Sequence, residues 1–189
     1  MKSLNEDLKT GQFKQIYLLY GEEAYLKKLY KNRFVKAMVP EGDTMNYCYF
    51  EGKNTNPKEI IDLAETLPFF AERRLIVLEN TGFLKNATPE LAEYLKNMPE
   101  TTYMIFVESE LDKRGKLYKV IKEKGHIVEL KRQDEKTLMR WAAGILAREG
   151  RKITTRDMEL FLTKTGTDMG NIRMELEKLI TYTMGQDIV

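Results

Sequence analysis

The sequence predicts an α/β protein, with a parallel sheet of about five strands and flanking helices followed by a small three-helix domain. Three observations carry this. Five short apolar runs recur through residue 130: IYLLYG (16–21), MNYCYF (45–50), RLIVLE (74–79), TYMIFVE (102–108) and HIVEL (126–130). They are mostly continuous rather than alternating, as in strands covered on both faces. The segments between them carry apolar residues at helical spacing, and such alternation favours parallel strands with helices on both sides. After HIVEL the strands stop and only the helical period remains.

Taken in order, the strand at 16–21 leads to a helix with the stripe Leu26, Leu29, Tyr30, Phe34 and Met38. After the second strand, Ile60, Leu63, Ala64 and Leu67 form the next stripe, so that helix is expected to reach Leu67. Leu91, Tyr94, Leu95 and Met98 follow Thr88 as N-cap and Pro89 as first helical residue. Asp112 is expected to cap a helix carrying Leu117, Val120 and Ile121, which Gly125 closes. Three helices follow. Asp134 starts one with Leu138, Trp141, Ala142 and Ile145, ended by Gly150; Thr154 starts one with Met158, Phe161 and Leu162, ended by Gly166. The last carries Ile172, Leu176, Leu179 and Ile180 and ends at Gly185. The expected domains are residues 1–132 and 133–189.

At 189 residues the chain can bury a good core and carry a second, smaller domain. Apolar residues make up 42% and charged residues 32%, with no low-complexity run, which argues against disorder. No apolar stretch is long enough to span a bilayer, and MKSLNEDLKTG has no signal-peptide apolar segment, so a cytoplasmic protein with no membrane partner is expected. One cysteine, Cys48, and one histidine, His126, cannot build a Cys/His zinc site from this chain alone, and no metal is expected. Cys48 lies in an apolar run and reads as a buried thiol; His126 begins HIVEL and reads as a strand-edge residue. A Ser-His-Asp triad would need that histidine, and no GxSxG turn is present, so no catalytic residue emerges.

Net charge is +2 but uneven: residues 113–156 hold 14 Lys/Arg against 5 Asp/Glu (+9), and the remainder 17 against 24 (−7). An excess of this kind suits a polyanion such as nucleic acid, and equally suits solvated helix faces.

GEEAYLKK, residues 21–28, follows the first strand, where a phosphate loop G-x-x-x-x-G-K-[ST] belongs. Gly21 and Lys27 fall at the right spacing. Leu26 replaces the second glycine and Lys28 the hydroxyl that would hold magnesium, while Glu22 and Glu23 repel polyphosphate. LIVLEN offers only Glu79 and Asn80 where an acidic magnesium ligand would end a strand. The layout is that of a nucleotide-binding domain without its chemistry; no ATP hydrolysis and no cofactor are expected.

ETLPFFAERRLIVLEN, residues 65–80, places Pro68, Phe69 and Phe70 at a turn where polar residues belong. Pro68 fixes its own φ and biases Leu67 out of helical geometry, so the aromatics project from a defined turn. From the residues alone, the alternative that both rings fold under the sheet as core is the better supported.

With YLLYGEEAYL (17–26), IFVESELDKRGKLYK (105–119), RW (140–141) and TGTDMGNIRMELEKLI (165–180), this stretch resembles the delta subunit of the bacterial DNA polymerase III clamp loader, through almost the whole chain and in the family's order. The resemblance implies an AAA+-like α/β domain with a degenerate loop, followed by a helical lid. It implies no ATPase of its own, although such subunits are catalogued with the polymerase. It also implies a wedge that enters a pocket on the sliding clamp (the beta subunit) and helps open it for loading onto primed DNA in replication. Leu67, Phe69 and Phe70 match the wedge position, with Pro68, Arg73 and Arg74 as weaker candidates for contact; Arg73 and Arg74 would sit at its rim. Delta-prime and gamma/tau clamp-loader subunits are the implied partners, and Lys113, Arg114, Lys116 and Lys119 candidate contacts to primer-template DNA or a neighbouring subunit. The family continues into a collar domain, whereas this chain stops at TYTMGQDIV, so a truncated piece with impaired loader assembly is expected. Two competitors remain: a P-loop-type ATPase with an unusual loop, and a sequence-independent nucleic-acid-binding adaptor.

Overall fold

A computed structural model gives the fold and describes residues 1–185. The last four residues of TYTMGQDIV lie outside the described residues. The chain divides into two units, Met1–Leu130 and Lys131–Val189.

In the first unit the order is α1 (Lys2–Thr10), β1 (Ile16–Tyr20), α2 (Ala24–Met38), β2 (Tyr47–Glu51), α3 (Pro57–Ala64), β3 (Arg74–Glu79), α4 (Pro89–Tyr94), β4 (Thr102–Glu108), α5 (Lys116–Lys124) and β5 (His126–Glu129). The five strands form one sheet in the order β2-β3-β4-β1-β5, and every neighbouring pair is parallel. Alternate side chains of each strand serve opposite faces. Leu18, Ile76 and Phe106 meet Ile60 of α3, Leu91 of α4 and Ile121 of α5 in one cluster. On the other face Tyr17 stacks on Phe34 of α2, ring centroids 4.4 Å apart. Both faces of β1, β3 and β4 are covered, which is why their sequences run apolar without alternation.

The second unit holds α6 (Glu135–Arg148), α7 (Thr155–Thr165) and α8 (Met169–Tyr182). Asp134 and Thr154 cap as expected, accepting from the N–H groups of Thr137 and Asp157, and Asp168 caps α8 by accepting from Asn171. Leu138, Ala142, Met158, Leu162, Ile172 and Leu176 form its buried side.

Four details depart from the sequence reading. α3 ends at Ala64, and Leu67 is 78% exposed instead of completing the helix stripe. The Thr66 hydroxyl turns back to the Leu63 carbonyl at 2.6 Å, and Pro68 keeps Leu67 out of the helical region. α5 starts at Lys116 behind Gly115; Asp112 accepts from the N–H of Arg114 and closes the turn before the helix. Thr88 precedes α4, but its hydroxyl donates to the Phe83 carbonyl at 3.3 Å and caps nothing. α1 was not foreseen because its sequence, KSLNEDLKT, buries only Leu4.

Gly21 ends β1 at φ +122°, and a Cβ there would stand 2.5 Å from the Leu130 carbonyl oxygen. Strain and collision add, so Gly21→Ala is expected to destabilise the chain by about 2–4 kcal/mol, read from denaturant unfolding.

Candidate functional site

In a parallel sheet all strands start at one end and finish at the other. Residues 65–73 precede β3 and sit at the starting end; the loop after β1 sits at the finishing end. The two sequence-predicted sites are therefore on opposite ends of the α/β unit.

At the starting end, Leu67 is 78%, Phe69 56% and Phe70 95% exposed. The phenylalanine rings meet edge to face, centroids 4.6 Å apart and planes 84° apart. Neither folds under the sheet, and Phe70 stays exposed although it borders a cleft of about 480 Å³. Leaving a phenylalanine ring in water forgoes roughly 1.5–3 kcal/mol of burial, nearly in full for Phe70 and in part for Phe69. Phe70 also has φ +48°, a left-handed conformation that costs an L-residue about 1–2 kcal/mol.

Two buried polar residues hold the turn. Arg74 sends Nη2 to the Leu67 carbonyl at 3.1 Å, Nε to the Thr66 carbonyl at 3.3 Å and Nη1 to the Met45 carbonyl at 3.1 Å. The expectation of Arg74 at a rim is thus corrected: it is 6% exposed and braces the loop from below, because its guanidinium spreads three donors over carbonyls that no helix or strand satisfies. Arg73 is only half-buried; its guanidinium lies 5.6 Å from the Phe13 ring centroid and 5.3 Å from that of Tyr103, and its Nη2 donates to the Glu72 carboxylate at 3.1 Å. Asn46 makes the second brace, bonding both polar backbone groups of Phe69. Asp43 supports Asn46, and the Asn46 side-chain amide, then its backbone N–H, holds the Asp43 carboxyl below the usual range.

A depressed carboxyl contributes stability that is present above its unfolded value and lost as pH falls through the lower folded value. The Asp43 carboxyl is expected to titrate by NMR with a midpoint below the ordinary 3.8, with the Asn46 side-chain amide protons shifting at the same midpoint.

At the finishing end, the degenerate loop is filled. Lys27 is 7% exposed and turned inward, its Nζ donating to the Glu108 carbonyl at 3.3 Å and to Ser109 Oγ at 2.8 Å. Burial lowers its pKa below the ordinary lysine value. Glu23 is buried and caps α2, accepting from Tyr25 N–H, and Leu26 is buried, while Lys28 is exposed. Glu79 receives Lys31 and, at 2.8 Å, the Tyr49 hydroxyl. Glu108, which the sequence reading passed over, is buried with its Oε1 accepting from Thr81 N–H, Thr81 Oγ and Gly82 N–H at 2.8–3.2 Å; burial raises its pKa. Lys113, Arg114, Lys116 and Lys119 are exposed at the start of α5 and the turn before it. Lys113 Nζ lies over the Tyr20 ring, 5.3 Å from its centroid, and Arg114 forks onto Asp112. No group of His, Cys, Asp and Glu able to hold a metal occurs among the described residues. No described helix is long and apolar enough to cross a membrane.

Residues 17–131 match the sequence model of the family described as DNA polymerase III, delta subunit. The chain belongs to the DNA polymerase III delta-subunit family. Within it, the Bacillus subtilis DNA polymerase III subunit delta is 28% identical over 189 residues, covering 94% of this chain and 54% of that protein. The solved Bacillus subtilis DNA clamp loader delta protein superposes over 100% of this chain and 59% of its own, with TM-score 0.76 and 25% identity. The chain thus spans little more than half the length of these delta relatives. A Thermotoga maritima protein related to the polymerase III gamma subunit shares the fold, at TM-score 0.53 and 16% identity over 93% of this chain and 57% of that one. The expected AAA+-like fold is the delta-family fold. Asn46 and Asp43 escaped the sequence reading: the turn signal in EGDTMN was visible, but its reach to residue 69 was not.

Proposed function

We propose that this chain acts as a clamp-loader delta subunit that docks on the sliding clamp through Leu67, Phe69 and Phe70 and helps open it for loading onto primed DNA. The observation that carries this is a pair of phenylalanines held in water on a braced, left-handed turn. Aromatic anchors presented on a rigid backbone lose little entropy on entering a partner pocket. Pro68, half-buried in the same turn, shapes it; Arg74 acts by support. In this reading the α/β unit, residues 1–132, is the AAA+-like domain with a silent phosphate loop, and residues 133–189 form the lid. Delta-prime and gamma/tau subunits are the proposed companions in the loader. Lys113, Arg114, Lys116 and Lys119 are proposed to meet primer-template DNA phosphates, without sequence preference and with strong salt dependence.

Calorimetric titration with the sliding clamp of the same organism tests the docking reading; absence of binding by the folded chain refutes it. The chain is further proposed to have no ATPase of its own, supported by the inward Lys27 and the side chains that fill the loop. Titration with magnesium and ATP is expected to give no micromolar binding and no turnover. Micromolar affinity with hydrolysis would favour the ATPase reading instead.

A further inference from the structure

We infer that Asn46 is the positioning residue of this docking turn, bonding Phe69 through both backbone polar groups and so fixing how Phe69 and Phe70 are presented. The inference rests on the docking reading above. Asn46 is 3% exposed and lies just before β2, 23 residues from Phe69 in the chain. Its Oδ1 accepts the Phe69 N–H at 2.6 Å, and its Nδ2 donates to the Phe69 carbonyl at 2.9 Å. The orientation of the amide is not arbitrary, since a backbone N–H can bond only the oxygen and a carbonyl only the nitrogen.

The second hydrogen of Nδ2 goes to Asp43 Oδ2 at 2.8 Å, while Asp43 Oδ1 takes the N–H groups of Met45 and Asn46 at 3.0 and 2.9 Å. The Asn46 carbonyl accepts the Leu75 N–H at 2.8 Å, so the residue is also tied to the start of β3. The side chain thus does for Phe69 what a neighbouring strand would do in a sheet. Among the described residues these are the hydrogen bonds that the Phe69 backbone makes. Without them, no backbone hydrogen bond at Phe69 opposes relaxation of the left-handed Phe70 next to it.

Two measurements on the whole chain test this. In the free protein, the Phe69 amide is expected to exchange with solvent slowly for a loop, and Asn46→Ala to accelerate it roughly tenfold or more. Unchanged exchange would overturn the inference with no clamp present. Titration with the sliding clamp is then expected to show Asn46→Ala binding roughly tenfold more weakly than the parent at temperatures where both are folded. If Asn46→Ala binds like the parent while Phe69→Ala with Phe70→Ala does not, the positioning role is wrong and the docking reading stands. If the double phenylalanine variant binds like the parent, the docking reading falls and this inference with it.

A charge swap separates positioning from bulk stability and serves if Asn46→Ala fails to fold. Asn46→Asp sets two carboxylates against each other and is expected to weaken binding. Adding Asp43→Asn restores a donor between positions 43 and 46; the carboxylate at 46 still accepts the Phe69 N–H while the Phe69 carbonyl stays without its donor, so only part of the affinity is expected to return. No recovery would count against the network as drawn.

Discussion

Phe69→Ala combined with Phe70→Ala is expected to weaken binding of the sliding clamp at least about 30-fold, since an aromatic hot spot costs roughly 2 kcal/mol or more on truncation. The same variant is expected to unfold within about 0.5 kcal/mol of the parent, because substitutions of exposed side chains away from caps and cores rarely exceed that. Phe70 at 95% exposure and Phe69 at 56% leave little native packing to lose. Their contact with each other, 4.6 Å between centroids, disappears with both. The contrast between the two readouts is the point. A core pair would show the opposite pattern, with a large loss of stability and an indirect loss of binding. Calorimetric titration beside urea unfolding measures both on the same preparations.

Arg74→Met is expected to do the reverse, lowering stability by about 2–4 kcal/mol and the melting temperature by roughly 5–15 °C. The aliphatic chain of methionine fills much of the space, so the loss reports the guanidinium. Its three donors satisfy the carbonyls of Met45, Thr66 and Leu67 beside a buried strand end, and removing them leaves those oxygens without their partner. Arg74→Lys is expected to recover little, because one ammonium cannot span three carbonyls set around a planar fork. Clamp affinity is expected to fall with the stability loss, since the turn that carries Leu67 and Phe69 loses its lower brace. Thermal unfolding by circular dichroism checks the first effect, and clamp titration well below the transition checks the second.

The sheet was legible because its strands are buried on both faces: RLIVLE and TYMIFVE coincide with β3 and β4 residue for residue. Helix α1 was not, because in nine mostly polar residues its apolar stripe is only Leu4 and Leu8, too short a run to stand out as a helix. The end of α3 was misread by its stripe: Leu67 has the helical spacing, but Pro68 and the Thr66 hydroxyl end the helix first. At the turn before β3 the aromatics and the proline were legible, and the family resemblance was needed to prefer an exposed over a buried pair. What supports the turn could not be read. Arg74 looked like a surface cation next to Arg73, and only the fold brings the carbonyls of Met45, Thr66 and Leu67 around it. Asn46 belongs to a different loop altogether, so its bond to Phe69 is a consequence of β2 pairing beside β3. Short-range pattern finds elements and exposed chemistry; long-range polar bracing appears only once the strand order is known.

The central claim, that Phe70 itself enters the clamp, is tested most directly by placing a photoreactive benzophenone side chain at position 70 and irradiating the complex with the sliding clamp. The account predicts a covalent adduct with the clamp from position 70, and none from a control at exposed Lys122 on α5. A chain that binds the clamp yet cross-links to it from Lys122 and not from position 70 would contradict the account.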